Sequence, residues 1–364
     1  MKKFMSLLLA AVFAAVLLTG CAGGSEATPS PTAGQEPEAT PAATPAEESP
    51  EPVEEQPVEG GVKTGLAVTT SIAKSKDAGD KEGTAQADSV VVAVLVDAEG
   101  KILDCVIDTA QSKAAFNAEG KIVTPLDTEF KTKNELGDAY GMKAASGIGK
   151  EWYEQAAALA EYVIGKTVEE VQGIAMDESG YAADADLKAS VTVNIAGYIN
   201  TIVKAVGNAQ ELGASEGDKL GLGVVTSIKK SKDAAADAEG QVQFYSFYGA
   251  VTTDEDGKIT SCVIDSSQSN VKFDATGKIT SDLNAAYMTK NELKEDYGMK
   301  AASGIGKEWY EQAAAFAEYV VGKTVDEVNG VAVDESGHPA EADLTASVTI
   351  SIADMQAVIA KAAK

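Results

Sequence analysis

Two matching segments could hold an anion. Ser146-Gly-Ile-Gly-Lys150 and Ser303-Gly-Ile-Gly-Lys307 each set glycine-freed backbone N–H groups and a lysine just ahead of a helical pattern, and a helix start with free N–H groups attracts negative charge. A nucleotide-binding P-loop needs a further glycine where Ala144 and Ala301 stand, and a hydroxyl where Glu151 and Glu308 stand. What remains is a general anion site or a plain loop-to-helix junction. Asp184 with Asp186, and Glu341 with Asp343, are spaced for acid–base or metal work, although neighbouring carboxylates also arise on the solvated faces of an acidic chain. The aromatic residues Trp152, Tyr153, Tyr162, Trp309, Tyr310 and Tyr319 could stack on a planar ring or belong to the core. One histidine, His338, and three cysteines, Cys21, Cys105 and Cys262, exclude a duplicated histidine-dependent site and a zinc cage of four cysteines or of paired cysteines and histidines. No catalytic residue and no metal ligand set is assigned.

The 364-residue chain carries 30 basic against 56 acidic residues, net −26, and every basic residue is lysine. Without a guanidinium fork it lacks the side chain best suited to bidentate phosphate or carboxylate capture, and its acidic field repels polyanions. Nucleic acid and acidic lipid surfaces are therefore poor partners, and no nucleic acid is expected.

These residues recur because most of the chain is duplicated. Gly141–Val171 matches Gly298–Val328 except at Leu159/Phe316, Ile164/Val321 and Glu169/Asp326, and the same offset of 157 relates Cys105 to Cys262 and Thr192 to Thr349. Repeats of about 150 residues are long enough for a sizeable core, so the reading is two tandem domains, 62–210 and 218–364, joined by a linker at 211–217.

Each repeat opens in a strand register. Four turns, Asp97–Gly100, Asn117–Gly120, Asp254–Gly257 and Asp274–Gly277, are each followed by Lys-Ile; Asp or Asn starts such a turn and Gly takes its left-handed position. Cys105 shares a strand face with Leu103 and Ile107, and Cys262 with Ile264, so both thiols read as small buried hydrophobes. Trp152, Ala156, Leu159 and Val163 predict a helix over 150–164 closing at Gly165, and Thr167–Glu170 and Thr324–Glu327 predict capping boxes. Alternation predicts strands over Leu187–Ile195 and Leu344–Ile352, followed by closing helices over 196–209 and 353–362. The fold class is α+β: in each repeat an antiparallel meander with helices on one face.

Ahead of the repeats, Lys2-Lys3, an apolar run from Phe4 to Leu18 and Gly20-Cys21 form a secretion signal, the run being shorter than a bilayer span of about 20 residues. The Gly20-Cys21 junction resembles the lipobox of bacterial lipoproteins. That resemblance implies removal of 1–20, lipidation of Cys21 and an extracytoplasmic protein anchored to a bacterial membrane. From Ala22 to Gly61 lie eight of the ten prolines and nine glutamates, with no lysine and no aromatic residue, a composition unable to bury a core. As a coil, 21–61 reaches roughly 35 Å and reads as a spacer.

The element order, with Tyr140-Gly-Met-Lys-Ala-Ala-Ser-Gly-Ile-Gly before one helix and Asp186-Leu-Lys-Ala-Ser-Val-Thr192 before the last, resembles the FMN-binding domain of secreted bacterial lipoproteins. In that family a motif Asp-x-x-Ser-Gly-Ala-Thr carries FMN on its threonine through a phosphoester made by a separate flavin transferase. The resemblance implies FMN as cofactor, Thr192 and Thr349 as attachment points, Asp186 and Asp343 as the motif acids, and Ser190 and Ser347 beside them. Ala, Ser and Val stand where the family has Ser, Gly and Ala. It further implies a flavin transferase and redox partners, and a flavin carrier in electron transfer more than a catalyst with its own turnover. The alternative is a flavin-free surface or wall-zone binding module for a small solute, peptide or polymer.

Overall fold

The computed structural model describes residues 61–364; the signal segment, Cys21 and nearly all of the proline-rich spacer lie outside the described residues. Repeat 1 opens with β1 (Lys63–Ser71), β2 (Gly83–Val96) and β3 (Ile102–Phe116), paired antiparallel as a meander. Its helical half holds α1 (Lys133–Leu136), α2 (Trp152–Val163), α3 (Val168–Gln172), α4 (Ala185–Ser190) and α5 (Ala196–Gly207), and a short β4 (Gln210–Glu211) returns to pair with β1. Repeat 2 follows the same order with β5 (Lys219–Ser227), β6 (Gly240–Thr253), β7 (Ile259–Phe273), α6 (Lys290–Leu293), α7 (Trp309–Val320), α8 (Val325–Asn329), α9 (Ala342–Thr345) and α10 (Ala353–Ala362). The fold is α+β, in two similar halves, with sheet orders β3-β2-β1-β4 and β5-β6-β7.

Local chemistry explains these elements. In the turn between β2 and β3 the Asp97 carboxylate accepts the Lys101 N–H at 2.7 Å, and Gly100 takes φ +83°; the Asp254 turn repeats this with Gly257 at φ +75°. The boxes at Thr167/Glu170 and Thr324/Glu327 form as predicted. Cys105 and Cys262 are free and buried.

The two strands predicted over 187–195 and 344–352 are absent. Asp184 accepts the N–H groups of Asp186 and Leu187 and so starts α4, and the chain then runs irregularly into α5. The buried positions are Leu187, Val191, Ile195 and Ile199, one in four, while Ala189 is exposed. Helical and irregular segments bury that spacing; a strand would have buried every second residue.

Each sheet is covered on both faces. Ala67, Val92, Val94, Cys105 and Ile107 face the helices of repeat 1. The opposite face, with Leu66, Val68, Val91, Ala93 and Leu95, packs against Leu220, Val224, Tyr248 and Ala250 of repeat 2. A second shared cluster joins Ile72, Ala114 and Phe116 to Ile228, Val271 and Phe273, with the Phe116 and Phe273 rings stacked at 4.2 Å and 6°. The contact is reciprocal, as in an isologous dimer. Ala78 N–H donates to Gly277 O, and Ala234 N–H to Gly120 O, both at 2.8 Å. Lys204 pairs with Glu292 and Lys361 with Glu135, each at 2.5 Å. Gly120 and Gly277, at φ +65° and +70°, leave no room for a Cβ, which would fall 2.6 Å from the partner repeat's alanine methyl.

The two halves pack into one compact unit, the second face of each sheet being covered by the other repeat, so they are expected to unfold together and not independently. The join at 211–217 is part of it: Glu211 pairs with Lys63 and Ala214 is buried in the inter-sheet cluster. Each repeat has one tryptophan, Trp152 or Trp309. Single-tryptophan variants made by Trp→Phe are expected to report the same urea midpoint, and Phe116→Ala should lower both by a common amount, about 3–5 kcal/mol. Two separate midpoints would show that the halves unfold independently.

Candidate functional site

The centre of each helical half is a glutamine. Gln155, on α2, is fully buried; its Nε2 donates to Ser146 Oγ at 3.1 Å and to Lys150 O at 3.3 Å. Its Oε1 accepts from Thr192 N at 2.8 Å, Thr192 Oγ1 at 3.2 Å and Val193 N at 3.2 Å. Gln312 on α7 repeats the arrangement with Ser303, Lys307 and Thr349. One side chain thus ties the Ser-Gly-Ile-Gly loop to the threonine singled out in the sequence. Thr192 is half-buried and Thr349 exposed.

The other sequence-derived residues are not gathered around those threonines. Asp186 and Asp343 are exposed in the first turns of α4 and α9. Ser190 Oγ donates to Leu187 O and Ser347 Oγ to Leu344 O, so both hydroxyls are spent inside their own turns. Asp184 caps α4, whereas Glu341 accepts from Tyr319 OH at 2.6 Å. Trp152 and Trp309 are core residues, while Tyr153, Tyr162, Tyr310 and Tyr319 are half-buried.

The anion reading of the glycine loop is displaced by the protein itself. Buried Glu151, the N-cap of α2, accepts from Met142 N at 2.8 Å and Lys143 N at 2.9 Å, and Glu154 accepts from Glu151 N at 2.7 Å. Glu308 and Glu311 do the same in repeat 2. Two carboxylates at the helix start already answer its positive end and oppose a third negative group there.

Sequence reasoning missed a pair of buried lysines. Thr132-Lys-Asn-Glu-Leu136 recurs as Thr289-Lys-Asn-Glu-Leu293 at the offset of 157, and that identity was the available signal. In each copy Thr caps a four-residue helix, and the lysine turns inward. Lys290 Nζ lies 4.6–4.7 Å from the ring centres of Tyr245, Tyr297 and Trp309 and donates to Tyr245 OH at 2.7 Å. Lys133 Nζ lies 4.8 Å from the rings of Tyr140 and Trp152. Ring faces stabilise the ammonium, but burial pulls Lys290 down to about 7, with Lys230 acting the same way and Asp265 opposing. Burial lowers Lys133 as well, against the carboxylates of Asp88 and Asp108. The adjoining Asp265 is pushed up to about 6 by burial, although the Thr289 hydroxyl and the N–H groups of Asn291 and Ser266 favour its charged form. Buried Thr109 Oγ1 and Ser266 Oγ, at matching positions, have no hydrogen-bond partner.

Two cavities adjoin these elements. A groove of about 320 Å³ between β3 and α2 is lined by Cys105, Ile107, Tyr153, Ala157, Ala160 and Ile164, among others. A cleft of about 370 Å³ between the repeats includes Lys204, Asn208, Asp265, Asn291, Glu292 and Lys294. Among the described residues no group of three potential ligands could hold a metal ion, and no helix is long and apolar enough to cross a membrane.

No protein-family model and no solved structure matches the chain. Chlorophenol reductase of Desulfitobacterium hafniense is 40% identical over 92 residues, which cover 22% of this chain and 28% of that protein. The similarity thus spans less than a third of the relative's length.

The lysine sets a pH signature. Because the folded-state value of Lys290 lies below that of an unfolded lysine, the unfolded chain binds more protons between about pH 7 and 10. Stability is therefore expected to rise with pH from 7 to 9.5, with a contribution approaching ~1.4 kcal/mol per pH unit. Lys290→Met should remove that rise in urea titrations at pH 7, 8 and 9; an unchanged slope would place the proton elsewhere.

Proposed function

We propose that the protein is a lipid-anchored, extracytoplasmic flavin carrier that holds FMN on Thr192 and Thr349 and serves electron transfer outside the cytoplasmic membrane. The observation that carries this reading is the matched setting of the two threonines. Each stands where the motif of the FMN-binding domain has its acceptor, reaches solvent, and donates its hydroxyl proton inward to a buried glutamine. With the proton donated inward, the hydroxyl oxygen keeps its lone pairs for a partner on the solvent side. The residues present fit a surface phosphoester. FMN, when bound, supplies one- and two-electron redox chemistry, and the chain's own residues supply attachment and position. A partial relative named as a reductase is in keeping with a redox role.

The flavin-free binding module is favoured by one feature: Ser190, where the family has glycine, lies in α4 with its hydroxyl bonded to Leu187 O, so the backbone there is a helical turn. Co-expression with a flavin transferase separates the two. Two FMN-sized mass additions are expected, one lost in Thr192→Ala, one in Thr349→Ala and both in the double variant; a colourless protein of unmodified mass would leave the binding module standing.

The anchor is tested separately. Cys21→Ser is expected to move the protein from the membrane fraction to the soluble extracytoplasmic fraction and to abolish the lipid mass at the N-terminus. Unchanged fractionation and mass would remove the lipoprotein assignment.

A further inference from the structure

We propose that Gln155 and Gln312 are the positioning residues that make Thr192 and Thr349 competent acceptors, an inference that rests on the flavin reading above. Neither belongs to the threonine motif; each lies 37 residues upstream, on the long helix of its repeat. Both are fully buried and hold the same contacts within 0.1 Å: threonine N–H at 2.8 Å, threonine Oγ1 at 3.2 Å, and a serine hydroxyl and a lysine carbonyl on the amide nitrogen at 3.1–3.3 Å.

The chemistry gives this arrangement a direction. A phosphoester on threonine needs an activated phosphate, which the pyrophosphate of a flavin adenine dinucleotide supplies. Threonine Oγ1 attacks the flavin-side phosphorus; the Oγ1–P bond forms and the pyrophosphate P–O bond breaks. Adenosine monophosphate leaves with that electron pair, and the hydroxyl proton passes to a base on the transferase or to water. Nothing is oxidised or reduced. Attack requires that a lone pair, not the proton, faces the incoming phosphorus. The glutamine amide oxygen achieves this by accepting the proton on the protein side, while its bond to the threonine N–H fixes the backbone from which the hydroxyl projects. Its amide nitrogen is engaged on the glycine loop, so the acceptor oxygen cannot rotate away without breaking the bonds to Ser146 Oγ and Lys150 O.

The two repeats make each molecule its own control. In the full chain co-expressed with a flavin transferase, FMN on the peptides containing Thr192 and Thr349 is quantified by mass and flavin fluorescence. Gln155→Met, similar in volume but without an acceptor, is expected to lower loading at Thr192 on the order of tenfold or more and to leave Thr349 loaded as in the wild type. With purified transferase, the loss is expected in kcat for transfer to Thr192 with KM for the protein unchanged; Gln312→Met should mirror this at Thr349. Trp152 emission in a Trp309→Phe background checks that repeat 1 is folded. Wild-type loading in Gln155→Met, or a loss carried by KM with kcat unchanged, would overturn the positioning role while leaving the flavin reading intact. Absence of FMN from both threonines of the wild type would overturn both.

Discussion

The burial of one sheet against the other is the constraint on which the rest of the molecule depends. Each repeat has helices enough to cover one face of its sheet, and the other face carries Leu66, Val68, Val91, Ala93 and Leu95 or their counterparts. Exposed, that surface would be a large apolar patch. Pairing the sheets removes it from water, and the stacked Phe116 and Phe273 rings lock the pairing at one end. The reciprocal lysine–glutamate pairs Lys204/Glu292 and Lys361/Glu135 are partly buried, each lysine also donating to a strand carbonyl. Their value is in register, since they form only when the last helix of one repeat meets the first helix of the other.

Much of this was legible. The Asp/Asn-x-x-Gly turns, the long helix opening at Trp152, the capping boxes and the closing helices all follow from local chemistry that tertiary packing does not override. The two-sided burial was also written in the chain: Val90-Val-Val-Ala-Val-Leu-Val96 is a continuous apolar run, the mark of a strand covered on both faces, whereas a strand with one wet face alternates. The segment 187–195 misled for the converse reason. Its residues alternate apolar and polar, but Asp184 caps a helical turn and the alternating set is only half used. A capping residue three positions before Leu187 outweighed the period-two pattern.

The candidate site was legible in its threonines and hidden in everything that holds them. A motif places Thr192 by spacing, but the contact that orients it comes from Gln155, whose partners are scattered from Ser146 to Val193. No local pattern marks a glutamine as a hub. The same holds for Glu151, which reads as a surface acid at a helix start and is in fact buried, answering the N–H groups of Met142 and Lys143. Identity between the copies was the one general signal, and it covered Gln155/Gln312, Glu151/Glu308 and Lys133/Lys290 alike without distinguishing a contact from a core residue.

Where the copies differ, the scaffold is kept and the buried charge is changed. In repeat 1 the position on the second strand nearest the buried lysine is Asp88, paired with Lys74 at 2.8 Å; in repeat 2 it is Tyr245, which takes Lys290 on its hydroxyl and lies under both Lys290 and Lys230. Removing the acid and leaving two cations around one ring is why burial carries Lys290 as far as about 7. The turn that follows diverges in the same neighbourhood: Gly137 at φ +51° becomes Lys294 at φ +47°, a left-handed conformation that costs a lysine of the order of 1 kcal/mol or more. Lys294 lines the cleft between the repeats, while Lys290, four residues earlier, is buried among aromatic rings with its charged form disfavoured by burial. Two halves so nearly identical in helix, loop and threonine are therefore unequal in electrostatics, and any ligand that gains or loses charge on them meets two different fields on one frame.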